Sequence, residues 1–489
     1  MTSATESVRS LIPARIDRLP WSPFHTRMVL ALGTAWILDG FEITIASNVG
    51  EKLSESSRLG LSATAVGGLA TAYLIGQVVG ALVFGQLSDR LGRRRLFLIT
   101  LAIYFGGSAL TAFTIGSGGF AVSFIYLTRF IAGAGIGGEY AAINSAIDEL
   151  IPANYRGRVD IAVNGTYWAG AALAAIVQVP LLSGAINPGI DWRIAFLIGP
   201  VLAIVIVVLR RSLPESPRWQ IMHGRAREAE ESIDFIEHEV EATGRTLPPV
   251  DESRAITVKP ADQTGYIALL RVLFRTYPGR STLGAALMIT QSFLYNAIFF
   301  TYATVLGTFF DVENTALYYI PFAIGNFLGP LLLGRLFDTL GRRTMISGTY
   351  VLSGALLVIS AFLFKAGVLT ATTQTIAWCV IFFFASAGAS AAYLTVSEIF
   401  PMEVRAKAIA VFFAIAQAFG SIAPLFYGSL IDKENPDPSK LFVGYIVGAA
   451  VMIIGGVLAW VLAVDAERKS LEDVATPLSV IRATGSGSP

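Results

Sequence analysis

GQLSDRLGRR at residues 85–94 returns as GRLFDTLGRR at residues 334–343, an offset of 249 in a chain of 489 residues. At the same offset Glu149-x-x-Pro152-x-x-x-Arg156 returns as Glu398-x-x-Pro401-x-x-x-Arg405. Two separate motifs at one offset mark a unit written twice, and such repeats decide a fold before any local reading does. Outward from these motifs the chain is a succession of apolar runs, each of the ~20 residues that cross a hydrocarbon core as a helix. Twelve are read, at roughly 28–49, 62–87, 96–116, 120–141, 160–183, 193–210, 282–309, 315–336, 344–364, 374–396, 406–430 and 441–464. The expectation is therefore an all-α membrane protein with twelve transmembrane helices in two pseudo-symmetric six-helix bundles. The units are an N-terminal tail (1–27), a first bundle (28–210), a linker (211–281), a second bundle (282–464) and a C-terminal tail (465–489).

Composition agrees with a lipid solvent. Charged residues make up 15% of the chain and hydrophobic ones 54%, with a mean hydropathy of +0.62, whereas soluble domains carry about 25% charged residues. Of the 36 Lys and Arg, 29 fall in the tails and even-numbered connections and six in the odd-numbered ones. The positive-inside rule then places both termini in the cytoplasm, which predicts a multi-pass protein of the plasma or inner membrane. The first 28 residues hold six charges and no apolar core of a signal peptide. A single cysteine, Cys379, excludes an intrachain disulfide, and no metal or cofactor is expected. The three histidines (His25, His223, His238) lie in or beside the tails and linker, and no GxxxxGK[ST] loop occurs, which argues against an enzyme and an ATP-driven pump. A sensor that binds without translocating would need an appended soluble domain, and the tails are short. No nucleic-acid partner is expected.

Three residues carry charge deep in apolar runs. Asp39 and Glu42 stand three apart in span 1, near one helical face, and Arg129 sits in span 4. Intramembrane charges are functional candidates when a partner can be named, and Glu42 with Arg129 is the natural pair. A buried carboxylic acid holds its proton and a neighbouring guanidinium expels it, so moving Arg129 relative to Glu42 would load and release a proton. The 249-residue offset sets Gln291 opposite Glu42 and Trp378 opposite Arg129, so only one half carries this charge machinery. The glycines of span 4 (Gly133, Gly135, Gly137, Gly138) suit close helix packing. Gly85 and Gly92 suit a tight turn between spans 2 and 3.

The run 85–94 resembles the signature loop between spans 2 and 3 of the major facilitator superfamily. PESPRW (214–219), SEIFPMEVR (397–405) and ERKSLED (467–473) resemble the sugar porter branch and related metabolite:proton symporters. The resemblance implies the major facilitator fold, with substrate bound between the halves. It implies a cytoplasmic gate drawn from Asp89, Arg93, Glu149, Arg156, Asp338, Arg342, Glu398 and Arg405. GFEITIAS (40–47) is similar to the span 1 motif of proton-coupled sugar porters and sets Glu42 on their proton-binding acid, while DGFE (39–42) resembles a motif of aromatic-acid symporters and adds Asp39 to the proton-coupling candidates. Substrate contacts are expected from Gln291, Tyr295, Asn296 and Tyr302 in span 7, Tyr393 in span 10 and Asn164 in span 5. Ala171 and Tyr393 stand where sugar porters use Gln and Trp, which weakens hexose as substrate. The expected function is proton symport of a small polar metabolite, organic anion or sugar-like, by a functional monomer. A proton-coupled efflux antiporter and an uncoupled facilitator remain alternatives.

Overall fold

Helix is the only open-ended way to satisfy every backbone N–H and C=O in a solvent that offers no hydrogen bonds, and helices make up most of the described residues. The computed structural model describes residues 8–53, 59–61, 63–116, 118–181, 186–210, 214–258, 265–312, 315–431, 435–476 and 478. The side chains of Asp89 and Arg93, two of the gate candidates, lie outside the described residues.

After a strand β1 (Val8–Ser10) and a short helix α1 (Ile12–Asp17), the first six spans are α2 (Pro23–Lys52), α3 (Ala63–Leu91), α4 (Arg93–Ala112), α5 (Gly119–Leu150), α6 (Ala153–Leu181) and α7 (Asp191–Arg210). The linker holds α8 (Pro217–Met222), α9 (Ala226–Glu241), β2 (Ile256–Val258) and α10 (Tyr266–Arg271). The second six are α11 (Pro278–Phe310), α12 (Ala316–Thr339), α13 (Arg342–Lys365), α14 (Ala371–Glu398), α15 (Met402–Gly420) with α16 (Ile422–Ser429), and α17 (Pro438–Leu462), followed by α18 (Leu471–Val474). Seven of these helices are long and apolar enough to cross a membrane on composition alone. Large apolar side chains such as Ile204, Leu332, Ile359 and Val461 point outward, as they do when the solvent is lipid. Span 11 departs from one continuous helix: it breaks at Ser421, because Pro424 has no N–H for the Gly420 carbonyl.

The repeat is visible in the packing. Within the first half α5 packs on α3 and α4, and α6 on α2; within the second, α14 packs on α12 and α13, and α15 on α11. The halves meet where α6 lies on α12 and α3 on α15, two contacts related by the internal symmetry. Gly92 (φ +82°) and Gly341 (φ +96°) occupy equivalent turns that only glycine adopts without strain. Gly85 is no turn residue. It lies inside α3, and a Cβ there would strike the Cβ of Ala410 on α15, so its smallness serves the junction of the halves.

The glycines of α5 work in two directions. Cβ atoms on Gly133 and Gly137 would meet the backbone of Tyr73 and Gln77 on α3, and one on Gly135 would meet the backbone at Thr100 and Tyr104 on α4. Such close approach lets α5, and Arg129 on it, sit in the middle of its bundle.

The segment before the first span is ordered by charge. β1 pairs antiparallel with β2. Arg15 reaches Glu230 (2.7 Å), Asp234 (2.6 Å) and Glu237 (2.6 Å) on α9, while α9 buries Ala229, Ile233, Ile236 and Val240 on its other face. Burial works against the charge on Glu237, yet hydrogen bonds from Arg15 and Arg18 hold its carboxyl below the usual range. Arg218 on α8 joins Asp17 (3.2 Å) to Glu472 on α18 (3.3 Å), so both ends of the chain and the linker meet on one side, the terminal side.

Gly137→Val should cost about 3 kcal/mol or more, because the clash is with backbone that has no room to give. Thermal unfolding in detergent checks this, and a wild-type midpoint would contradict the packing described.

Candidate transport site

Glu42 is fully buried and Arg129 nearly so, and their side chains meet at 3.0 Å between α2 and α5. Ser108 on α4 also donates to Glu42 Oε1. The guanidinium is sandwiched by rings, with its carbon 5.5 Å from the Tyr73 centroid and 4.8 Å from that of Phe196, a placement that stabilises a desolvated cation. Gly199 on α7 leaves room for the carboxylate: a Cβ there would lie 2.9 Å from Glu42 Oε2. The pair is only partly satisfied. Among the described residues, Glu42 Oε2 and Arg129 Nε and Nη1 have no hydrogen-bond partner. Five helices of one half thus converge on two opposite charges, each with bonding capacity to spare.

Asp39 lies on the same helix but keeps different company. It accepts from Tyr73 (3.4 Å) and from Tyr140. The Tyr140 ring packs on Trp36 (4.6 Å) and, across the junction, on Phe413 (4.5 Å) and Tyr393 (6.1 Å). Tyr73 links the two acids, since its hydroxyl meets Asp39 while its ring lies beside Arg129.

Four of the expected substrate residues lie around the junction. Tyr393 bonds to Gln291 and packs on Trp36 (5.6 Å). Tyr295 donates to Asn326 (3.0 Å) and faces Trp168 of the other half (5.5 Å). Asn296 donates to Ser292 (3.2 Å), Ser292 to Gln417 (3.1 Å), and Gln417 to Gln77 of the first half (2.7 Å). Amides and aromatic rings from both halves therefore face one another, an arrangement suited to a small ring-shaped or polar molecule.

Two candidates sit elsewhere. Tyr302 is engaged within its own half, donating to the Tyr318 carbonyl (2.8 Å) and packing on Trp378 (4.8 Å). Asn164 lies nearer the terminal side, bonded to Asn144 (3.2 Å) and to the Asp160 carbonyl (2.8 Å). A polar residue in an apolar span announces a partner without saying which, and in these two the bundle itself supplies it.

The terminal side is closed by buried charges. Arg156 of the first half donates to Glu398 of the second (2.9 Å) and to the Lys469 carbonyl (2.8 Å). Glu398 also takes two bonds from Arg342 (3.0 and 3.1 Å), and Arg342 holds Asp338 at 2.8 Å. Asp338 reaches back across the junction to the Arg158 backbone N–H (2.9 Å). Arg405 donates to the Phe400 carbonyl (3.1 Å), and both it and Arg218 interact with Glu149. Separating the halves here would break a buried ion pair across the junction, so the closed arrangement is a discrete state.

Sequence reading missed Ser108, Tyr73, Tyr140, Trp36, Gln77 and Gln417. Apart from Trp36 these are uncharged polar groups inside apolar helices, which carry no obligatory opposite partner and so no distinctive spacing.

Comparison with known proteins follows from this geometry. Residues 35–477 match the family model described as "Sugar (and other) transporter". The chain is 26% identical to the niacin transporter NiaP of Acinetobacter baylyi, over 94% of this chain and 99% of that one. It is 29% identical to the putative metabolite transport protein YdjK of Escherichia coli, over 93% and 97%. In fold it resembles the proton:xylose symporter XylE bound to 6-bromo-6-deoxy-D-glucose, with a TM-score of 0.75 at 19% identity, covering 92% of this chain and 98% of that one.

Arg129→Ala strands a buried carboxylate and should cost about 3–5 kcal/mol, while adding Glu42→Gln should recover much of that loss. A double-mutant cycle read by thermal unfolding checks this. Additive effects would mean the two side chains do not interact.

Proposed function

The chain belongs to the sugar (and other) transporter family, within the major facilitator superfamily, and is a sugar or metabolite transporter rather than an enzyme; on that premise we propose that it is a proton symporter. It imports a small polar metabolite, organic anion or sugar-like, by alternating access, with both termini in the cytoplasm of a cell-membrane protein that functions as a monomer. The observation that carries this reading is the Glu42–Arg129 pair, buried in lipid-facing bundles and engaged through one carboxylate oxygen.

A charge pair that merely stiffened a bundle would gain by complete hydrogen bonding, since half-satisfied buried ions are costly. An acid that must take up and lose a proton needs a free oxygen. With Glu42 ionised, Arg129 is held at 3.0 Å. With Glu42 protonated, that attraction falls away and Arg129 is released toward Tyr73 and the Asp39 side of the site. Protonation and substrate binding then favour the same rearrangement, which is what symport requires. The membrane potential adds about 2.3 kcal/mol per charge per 100 mV to inward proton movement.

The substrate class draws on two kinds of support. Aromatic rings (Trp36, Trp168, Tyr295, Tyr393) and amides (Gln77, Gln291, Gln417) suit a ring with polar substituents. The names of the related proteins, a niacin transporter and a proton:xylose symporter, describe two such molecules. Arg129 and the departures at Ala171 and Tyr393 favour an anion over hexose.

The test uses purified protein in liposomes loaded with a pH-sensitive dye and offered pooled sugars, pyridine and benzene carboxylates, and dicarboxylates. Wild type should show substrate-driven acidification, and Glu42→Gln should lose it while retaining counterflow of the same substrate. Substrate uptake by wild type with no proton movement would overturn the reading and leave a facilitator.

A further inference from the structure

The stretch that leads into the second half is charged in one sense only. Between Asp262 and Asp311 the chain holds Arg271, Arg275 and Arg280 and no acid. Helix α10 (Tyr266–Arg271) runs on into a wider π turn (Val272–Thr276) and then into α11. Leu269 and Leu273 are fully buried on its inner side. Tyr266 donates to the Leu82 carbonyl on α3, and α10 packs on α15, so this helix touches both halves at their junction on the terminal side.

Its outer side carries two adjoining stripes. Ile267 (80% exposed), Leu270 (42%) and Phe274 (52%) follow one another at three and four residues, so they line one face. Arg271 and Arg275 are also exposed, and each lies one position further round. Arg280 does not belong to this stripe: it donates to the carbonyls of Ile399 (2.6 Å) and Val474 (2.9 Å).

Folding explains neither stripe. Arginines on the other linker helix have acids beside them, Arg225 with Glu228 (3.4 Å) and Arg227 with Glu231 (2.9 Å). Among the described residues, Arg271 and Arg275 have no such partner. Orienting the chain needs basic residues on the terminal side, but it does not need them on an ordered helix beside an apolar stripe. A water-facing helix would not expose the stripe, and a helix in hydrocarbon would not expose the arginines. The boundary between water and lipid accommodates both. Span 7 begins by hydropathy near residue 282, about a dozen residues beyond Arg271, which sets the helix at that boundary.

We propose that α10 and the turn after it form a docking surface for an anionic phospholipid of the leaflet on the terminal side. Ile267, Leu270 and Phe274 lie against its acyl chains, and Arg271 and Arg275 hold its phosphate. Guanidinium groups suit this task, since their planar N–H donors match phosphate oxygens in pairs. The cytoplasmic leaflet is the one that carries anionic lipid, so the assignment rests on the orientation proposed above and not on proton coupling. A zwitterionic lipid would bring its own cation against the arginines. A second copy meeting the same face would set like charges together.

Fluorescence quenching by brominated lipid tests this with no substrate present. On a Cys379→Ser background, Phe274→Cys carries an environment-sensitive dye in place of the exposed ring. The labelled protein is reconstituted into phosphatidylcholine vesicles that contain brominated phosphatidylglycerol or brominated phosphatidylcholine. Brominated phosphatidylglycerol should quench at a severalfold lower mole fraction. Arg271→Gln with Arg275→Gln should abolish that preference, and Arg271→Lys with Arg275→Lys should keep much of it. Equal quenching by the two lipids would overturn the proposal and leave an ordinary lipid-facing surface. Quenching by neither would overturn it as well, since the face would then be covered by protein. So would a preference that survives the double glutamine variant, or one that inorganic phosphate removes at constant ionic strength, which would mean a site for the free anion. The proton-dye assay reports on Glu42 and this one on α10, so the two readings fail separately.

Discussion

A guanidinium and a carboxylate held 3.0 Å apart in the middle of a lipid-solvated bundle set the terms for the rest of this structure. Neither charge is affordable alone at that depth, and together they are stable only if the helices bring them into contact. The glycines of α5 let Arg129 sit among α2, α3 and α4, Gly199 leaves space for Glu42, and Tyr73 and Phe196 cover the cation's faces. Ser108 completes one carboxylate oxygen and leaves the other free. In the proposed symport, that spare oxygen is where Glu42 takes up its proton.

From that pair the two-fold pseudo-symmetry takes on a division of labour. The second half has the same helix packing but puts Gln291 and Trp378 at the corresponding positions, and its central groups are amides and rings. One half therefore holds the central charge pair, and the other presents amides and rings there. The halves meet on the terminal side, where Arg156 donates to Glu398 and Arg342 donates to both Glu398 and Asp338.

Much of this was legible before any coordinates. Twelve apolar runs and motifs repeated at 249 residues specify the two bundles, because lipid admits so few solutions. Glu42 and Arg129 could be paired because isolated charges in apolar helices need each other. The repeated spacing singled out Glu398 and Arg156, and the two meet at 2.9 Å across the junction. Uncharged polar residues were the weak point: Asn164 and Tyr302 found partners inside their own bundles, and Tyr140 emerged as the link from Asp39 to the junction. Three-residue strands such as β1 and β2 are too short for periodicity to reveal, and the role of Gly85 depends on a helix more than three hundred residues away.

The central claim is that Glu42 takes up a proton during the cycle, and capacitive current on a solid-supported membrane tests it most directly. A pH jump without substrate should give a transient inward current in wild type that Glu42→Gln reduces severalfold. A current of wild-type size in Glu42→Gln would contradict the account and leave Glu42 and Arg129 as a static brace.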